Sequence, residues 1–480
     1  MLMRRLLYSF LLALLVPMVA GAQEMYAVYD GEETFTFYYD DLRTSRSGTS
    51  FDLTPDKDGY PQWFFTAWHG NITKVIFDAS FADARPTITA NWFNGLWKMT
   101  KIDGLEYLNT SKVTNMRYMF YNCSKLTALD KGHFDTGNVT DMRSMFCKCE
   151  ALTTLDVNLF DTGKGKVTDM NSMFSGCSKL TSLNDVLHFD TGNVTNMSGV
   201  FRYCYALTAL DLSHFDTGKV TDMNEMFYEC TALTELVVKH FDTRNVMDMR
   251  KMFQYCKALT GLDVSNFDTG KVTDMSGMFA GCSSLTSLDV SNFDTGKVKN
   301  MSGMFYDCRS LTALDVSHFD TGIVKHMGNM FFGCSALTTL DMSHFDTRNV
   351  TDMGYMFSLC ASLATIYSND NWNTEGLSSE CMFSECPSLM GGAGTVFDAE
   401  KIDVTMAHPD TEDNPGYFTR KGDGDANGDG TVNAADIVEV VNSIMNNPSE
   451  KYNDKAADAN GDGVVNAADI VAIVNKIMGL

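Results

Sequence analysis

The tripeptide Phe-Asp-Thr occurs nine times, at Phe134, Phe160, Phe189, Phe215, Phe241, Phe267, Phe293, Phe319 and Phe345. Successive copies are 26 residues apart, with one step of 29. A period of this length marks a stacked repeat, in which each unit is too small to bury its apolar face alone and must lean on its neighbours. Repetition therefore sets the fold class before any other feature is read: an α/β solenoid, not a closed globule.

Seven of the copies continue with Gly and two with Arg, Arg244 and Arg348. Asp-Thr-Gly is also the loop on which aspartic proteases carry their catalytic carboxylates. That chemistry needs two carboxyls sharing a proton at close range. Nine copies along a periodic chain cannot all face one partner, and Arg in place of Gly blocks close backbone approach. Asp268 reads instead as a corner, its carboxylate suited to accept backbone N–H groups in an Asx-turn. The two Arg show that positive φ is not compulsory after it.

One unit, from Cys256, is CKALTGLDVSNFDTGKVTDMSGMFAG. Met275, Met278, Phe279 and Cys282 are spaced i, i+3, i+4, i+7, which predicts a short helix or helical turn with Thr273 as its N-cap. Leu285, Leu288 and Val290 predict a short strand, with Ser287 and Asp289 facing away from the core. Cys123, Cys149, Cys177, Cys204, Cys230, Cys256, Cys282, Cys308, Cys334, Cys360 and Cys386 follow the period, and only Cys147 and Cys381 stand off it. The odd total of 13 forbids complete pairing, so the column reads as small buried thiols.

Further columns are candidates for binding. Asp130, Asp156, Asp211, Asp263, Asp289, Asp315 and Asp341 fall on the outward side of the strand. At a strand spacing of about 4.8 Å they form an acidic stripe, either a solvated face or a surface for a basic ligand or cation. His133, His188, His214, His240, His318 and His344 precede the Phe, but Leu159, Asn266 and Asn292 interrupt them, which a metal-ligand set does not tolerate. Met249, Met275, Met301, Met327 and Met353 read as core filler.

The unit C-x-x-L-T-x-L-D-V-S-x-F-D-T-G-x-V-T-D-M-x-x-M-F resembles the BspA-like leucine-rich-repeat surface proteins. The resemblance covers roughly residues 93–390. It implies a curved leucine-rich-repeat-type stack of short strands and short helices, a secreted or cell-surface location, and a role in adhesion and ligand binding.

Both ends carry their own signals. Arg4 and Arg5, the apolar run Leu6 to Val16 and Ala20-Gly21-Ala22 predict a signal peptide over residues 1–22, cleaved near Ala22. YAVYDGEETFTFYY, residues 26–39, predicts a hairpin around Asp30-Gly31. It opens an N-terminal cap with degenerate repeats over 23–92, the latter including Val75-Ile76-Phe77. The repeats proper then occupy 93–390, and a C-terminal cap and linker 391–420.

The segment 421–480 holds DANGDGTVNAAD (Asp425 to Asp436) and DANGDGVVNAAD (Asp458 to Asp469), 33 residues apart and different at one position. Oxygens at positions 1, 3, 5 and 12 with a backbone carbonyl at 7 suit calcium, and Gly at 6 makes the sharp turn. Each loop runs straight into an apolar-periodic helix. Paired loops and helices of this kind resemble the type I dockerin module, a small all-α calcium-binding domain. The resemblance implies two Ca2+ ions. Asp425, Asn427, Asp429, Thr431 and Asp436 would hold one, and Asp458, Asn460, Asp462, Val464 and Asp469 the other. It also implies a cohesin-like partner gripped near positions 10 and 11. These are Ala434-Ala435 and Ala467-Ala468 here, where the family often has Ser-Thr.

Net charge is −24, or −26 without Arg4 and Arg5, which disfavours nucleic acid and anionic membranes. No further segment of about 20 apolar residues offers membrane insertion. Glycoside hydrolysis needs one specific carboxyl pair, whereas the acids here recur in columns and Glu225 and Glu235 are scattered. The expected function is a non-catalytic binding or adhesion protein that recognises a host or microbial surface protein or a glycan. The alternative is an accessory or enzyme of polysaccharide degradation.

Overall fold

The computed structural model describes residues 22–129, 134–156, 160–161, 166–184, 189–369, 372–374, 377, 381–411, 413–420, 424–427, 432–449, 452–460 and 464–478. The signal segment to residue 21, Asp130, His133, Leu159, His188, Asp429, Thr431 and Asp462 lie outside them, as does the side chain of Asp156.

The chain opens with β1 (Glu24–Tyr29) and β2 (Thr34–Asp40), joined by the expected hairpin. The Asp30 carboxylate accepts the N–H groups of Glu32 (2.8 Å) and Thr34 (3.1 Å) across the turn. With β3 (Thr49–Asp52), β4 (Lys74–Phe77) and β5 (Lys101–Asp103) these form a sheet of order β3-β1-β2-β4-β5. Pairing is antiparallel through β3-β1-β2 and parallel from β2 onward. The hairpin thus covers the first edge of a parallel stack that would otherwise stand open to another strand. Phe35, Phe37, Trp63 and Trp92 fill the space beneath it.

Among the described residues the strand arm alternates as expected, as in the repeat that follows Cys282. Leu288 and Val290 are buried while Ser287 and Asp289 are exposed. Parallel strands of three or four residues form where the ladder is most regular, as between Ala209–Asp211 and Glu235–Val237, or Thr339–Asp341 and Thr365–Ser368.

The second arm corrects the helix expectation. Met275, Met278, Phe279 and Cys282 are all fully buried, but they lie in turns, and among the described residues no α-helix occurs in any repeat. The N–H groups of Met278, Ala280 and Cys282 bond three residues back, to Met275, Gly277 and Phe279. Those of Met275, Gly277, Phe279 and Gly281 instead reach the carbonyls of Asn300, Ser302, Met304 and Tyr306 in the next repeat. Gly277 (φ 63°) and Gly281 (φ 72°) are left-handed, and so are Lys251 (55°) and Tyr255 (61°) one repeat earlier. Two left-handed residues per turn rotate every second N–H out of the helical direction and toward the neighbour. The spacing gives the same buried face that a helix would, while the hydrogen bonds stitch repeats together. Nor is Thr273 an N-cap: its N–H donates to the Met247 carbonyl at 3.0 Å, and Asp274 accepts from Ser276 N–H at 2.9 Å.

Between the arms, Phe227, Phe253, Phe279 and Phe305 stack with planes within 9° and centroids 5.6–5.8 Å apart, inside the favourable range for offset rings. One continuous core runs from Ala27 to Phe418. Its far end is closed by Phe418–Arg420, which pairs in parallel with Thr365–Ser368. The buried Asp410 organises this closure, accepting from Ala393 N–H (2.8 Å), Thr395 N–H (3.0 Å) and hydroxyl (2.7 Å), and Gly416 N–H (3.1 Å).

A separate small core, Ala426, Val440, Ala457, Ala459 and Ile473, holds the C-terminal module. It joins α1 (Ala434–Ile444), the short α2 (Asp454–Ala457) and α3 (Ala467–Met478). No helix among the described residues is long and apolar enough to cross a membrane.

Candidate functional site

The two C-terminal loops are built alike. Asn433 caps α1, accepting from Ala435 N–H at 2.8 Å, and Asn466 accepts from Ala468 N–H at 2.8 Å. Three residues into each helix an Asp turns back into its loop. Asp436 accepts from Asn427 N–H (3.1 Å) and Asn433 N–H (2.8 Å). Asp469 accepts from Asn460 N–H (3.1 Å) and Asn466 N–H (2.8 Å). Both carboxylates are completely buried, and among the described residues neither meets Lys, Arg or His in an ion pair. A buried charge is tolerated when a partner or a metal compensates it.

Asp425 and Asn427 in the first loop, and Asp458 and Asn460 in the second, are half-buried and supply further hard oxygens of the kind calcium prefers. The donor set therefore fits the ion. No group of three His, Cys, Asp or Glu side chains placed to hold a metal ion occurs among the described residues; the middle acids of the loops, Asp429 and Asp462, lie outside them. Ala434, Ala435, Ala467 and Ala468 are exposed at the helix starts. Val438 (58 %) and Val471 (58 %) continue that surface at equivalent positions in the two halves.

Against this geometry, the family comparison assigns the repeats. The model described as "Mycoplasma protein of unknown function, DUF285" matches residues 88–182, 156–237, 233–315 and 307–405, more than half of the chain. The chain belongs to the DUF285 family. Its repeats are of the BspA-like leucine-rich type, and a type I dockerin domain follows at residues 423–478. Dockerin domains of this type bind calcium in general, and dockerins bind cohesin modules. No curated protein matches the chain. Among solved structures it is similar to a leucine-rich repeat protein from Bacteroides ovatus, at 14% identity and TM-score 0.36, covering 77% of this chain and 92% of that one. A leucine-rich repeat protein from Eubacterium ventriosum aligns at 14% identity and TM-score 0.27, over 72% and 82%.

In the DUF285 repeats every described acid column is engaged in its own turn. On the strand arm Asp211, Asp263, Asp289, Asp315 and Asp341 accept the N–H of the Ser two residues on, at 2.9–3.1 Å. Hydrogen bonds from Ser213, Ser265 and Ser291 hold the carboxyls of Asp211, Asp263 and Asp289 below the usual carboxylate range. At the corner Asp268 accepts from Gly270 N–H at 3.0 Å, the expected Asx-turn. Asp242 keeps this bond, accepting Arg244 N–H at 3.3 Å, and the Arg244 guanidinium adds an ion pair to it at 2.8 Å.

Two columns escaped the sequence reading. Asp274 belongs to a run of Asn and Asp, broken once by His326, that bridges in parallel from Asn115 to Asp352 and turns the chain into the second arm. The Thr of Phe-Asp-Thr is buried: Thr269 donates to the Asp294 carbonyl of the next repeat at 2.8 Å, and Thr217, Thr243, Thr295 and Thr321 do likewise. Its invariance along the chain was the available signal. The columnar Cys are free thiols in this structure, each S–H donating to a Phe carbonyl of the preceding repeat, as Cys282 does to Phe253 at 3.2 Å. His318 bonds the Val290 carbonyl through Nε2 at 2.9 Å.

Proposed function

We propose that this chain is a secreted or cell-surface, non-catalytic binding protein. Its solenoid recognises a protein or glycan, and its dockerin module attaches it to a cohesin-like partner in a calcium-dependent way. Asp425, Asn427, Asp429 and Asp436, with the Thr431 carbonyl, would hold one ion. Asp458, Asn460, Asp462 and Asp469, with the Val464 carbonyl, would hold the second. Bound ions would supply only charge and cross-linking, with Asp436 and Asp469 each offering its buried carboxylate to the ion of its own loop and so tying that loop to its helix. The observation that carries the reading is this pair of sealed carboxylates, alike in geometry and without a cationic partner among the described residues.

The non-catalytic half of the reading is supported by the solenoid acids, which bind their own backbone in column after column where a hydrolase needs one carboxyl pair set apart from the rest. Asp211, Asp263, Asp289, Asp315 and Asp341 remain a candidate ligand surface for basic groups. The test is a glycan array and a protein pull-down with the full mature chain, each run with calcium and with EDTA. Capture of a cohesin in calcium alone, and of a surface ligand in both conditions, is expected. Calcium-independent attachment, or no ligand for the solenoid, overturns the corresponding half.

A further inference from the structure

Four positions of the second arm flank its buried residues in each repeat; Arg250, Lys251, Gln254 and Tyr255 all fill them with large side chains in one, and Tyr306 and Asp307 fill two of the four in another. The repeat between these two carries Ser276, Gly277, Ala280 and Gly281. Its small residues leave a groove of about 350 Å³, walled by Tyr255 on one side and Tyr306 on the other, with Ser302, Gly303, Gly328 and Asn329 continuing the floor. The backbone does not require glycine at 277: Lys251 and Glu225 occupy the equivalent position at φ 55°. What Gly277 contributes is empty space.

The walls are fixed. Tyr306 stacks on Phe332 at 4.8 Å and 5°. Tyr255 packs edge-on to Tyr228 at 6.1 Å, and its ring lies over Gly281, where a Cβ would collide with it. Burial pushes the Tyr255 hydroxyl up. Gln254 adds an amide beside Gly277, its Nε2 3.5 Å from where a Cβ would stand. Its Oε1 is buried without a partner among the described residues, a state that costs free energy until a donor reaches it.

The charges at the edge are already spent. Lys251 lies 3.6 Å from Glu225, and Asp307 is 2.6 Å from Arg309. The second-arm N–H groups along the floor are consumed in the inter-repeat ladder, so no free edge offers itself to an extended peptide. Two rigid aromatic faces, neutral amide and hydroxyl groups between them, and no net charge describe a site for sugar rings. The groove also runs across repeats that rise about 4.8 Å each, on the scale of one pyranose unit.

We propose that this groove binds an uncharged polysaccharide, with Tyr255 and Tyr306 as stacking walls and Gln254, Ser302 and Asn329 as hydrogen-bond partners. The proposal rests on the reading of the solenoid as a ligand-binding surface and names its site and ligand class. The test is affinity electrophoresis of the full mature chain through gels containing xylan, mixed-linkage β-glucan, glucomannan or hydroxyethyl cellulose. Retardation in at least one gel is expected. Gly277→Gln fills the groove with a side chain that the φ of Lys251 shows to be tolerated, and Tyr306→Ala removes a wall. Each should weaken retardation by about tenfold or more, equivalent to about 1.4 kcal/mol. Gly199→Gln, at the matching position three repeats away, should leave it unchanged. If Gly277→Gln is retarded as strongly as the parent, the groove is not the site, although the solenoid still binds a glycan. Retardation in none of the gels overturns the polysaccharide assignment itself, while a ligand from the protein pull-down would leave the general binding reading standing.

Discussion

Within Phe-Asp-Thr the eye falls on the acid, but the structure puts more weight on the hydroxyl beside it. Asp268 is exposed and its bond to Gly270 N–H competes with water. Thr269 is 1 % exposed, and its hydroxyl spans two repeats to the Asp294 carbonyl. Removing one partner of a buried hydrogen bond costs about 1–3 kcal/mol, against about 0.5–1.5 kcal/mol for a typical bond. Thr269→Val is therefore expected to lower stability in urea titrations by about 1–3 kcal/mol, and Asp268→Ala by less. The damage should stay near the substituted repeat and its neighbours, because a solenoid's stability is a sum of near-neighbour terms. Hydrogen exchange resolved along the chain would show it. Faster exchange across all repeats from Thr269→Val, or a larger loss of stability from Asp268→Ala, would count against this ranking. The residue scale also carries an acid limit. Hydrogen bonds from Thr395, Gly416 and Ala393 outweigh burial at Asp410 and hold its carboxyl below the usual range. A depressed folded pKa gives stability that is present above the ordinary carboxylate range and lost as pH falls through the folded value. The C-terminal closure should loosen first in acid, read as protease cleavage near residues 391–420, and Asp410→Ala should show that sensitivity at neutral pH.

At the level of the element, the buried face was legible and the backbone beneath it was not. Met275, Met278, Phe279 and Cys282 satisfy helical spacing, and the structure buries all four. What spacing could not reveal is that Lys251, Glu225 and Tyr255, ordinary residues with no glycine-like signature, take left-handed φ at the equivalent positions. The strand arm and the opening hairpin were legible because two-residue alternation and an Asp-Gly turn admit few alternatives. The parallel bridging run through Asp274 was not, because the bridges are made by main-chain groups that any residue possesses, although the recurring Asn or Asp, whose side chain accepts the N–H two residues on as Asp274 does from Ser276 at 2.9 Å, marked its turn.

The Cys column turns this element into a chemical prediction. Burial pushes the thiols of Cys230, Cys282 and Cys334 up to about 12. An acid whose folded pKa is raised favours the folded chain only while its unfolded counterpart stays protonated. The contribution is thus whole below about pH 8.5, the ordinary thiol value, and is lost as pH rises from there toward about 12. Stability should fall steeply above pH 9, and alanine at several columnar positions should flatten that alkaline limb. At pH 8 a thiol reagent should label the native chain slowly, with half-buried Cys381 first, and the denatured chain at all 13 cysteines. Mass mapping that found the column oxidised into disulfides would remove the basis for both expectations.

Across the whole molecule, two stabilising strategies stand side by side. The solenoid has a core running from Ala27 to Phe418 and closes both ends with its own chain. The C-terminal module has, among the described residues, a buried core of Ala426, Ala457 and Ala459 with Val440 and Ile473, and a domain of this small size commonly needs a staple such as a metal besides its core. It also seals two carboxylates from solvent. Without a cation, Asp436 and Asp469 oppose the packing that buries them; with one, each becomes a cross-link from loop to helix, and binding to the folded form alone stabilises it by mass action. EDTA should therefore unfold the module while leaving the repeats intact. In the full mature chain this predicts rapid proteolysis confined to residues beyond about 420, a loss of helical CD signal, and a thermal transition of the solenoid that does not move. Asp425→Ala combined with Asp458→Ala should reproduce the EDTA pattern in saturating calcium. Asp436→Asn should behave differently, because it removes the buried charge along with the reason for the ion: weaker calcium binding in the first loop, but less unfolding in EDTA than the parent chain shows. Equal protease resistance with and without chelator would mean that the sealed carboxylates are stabilised by the protein alone, and the calcium reading of these loops would have to be given up.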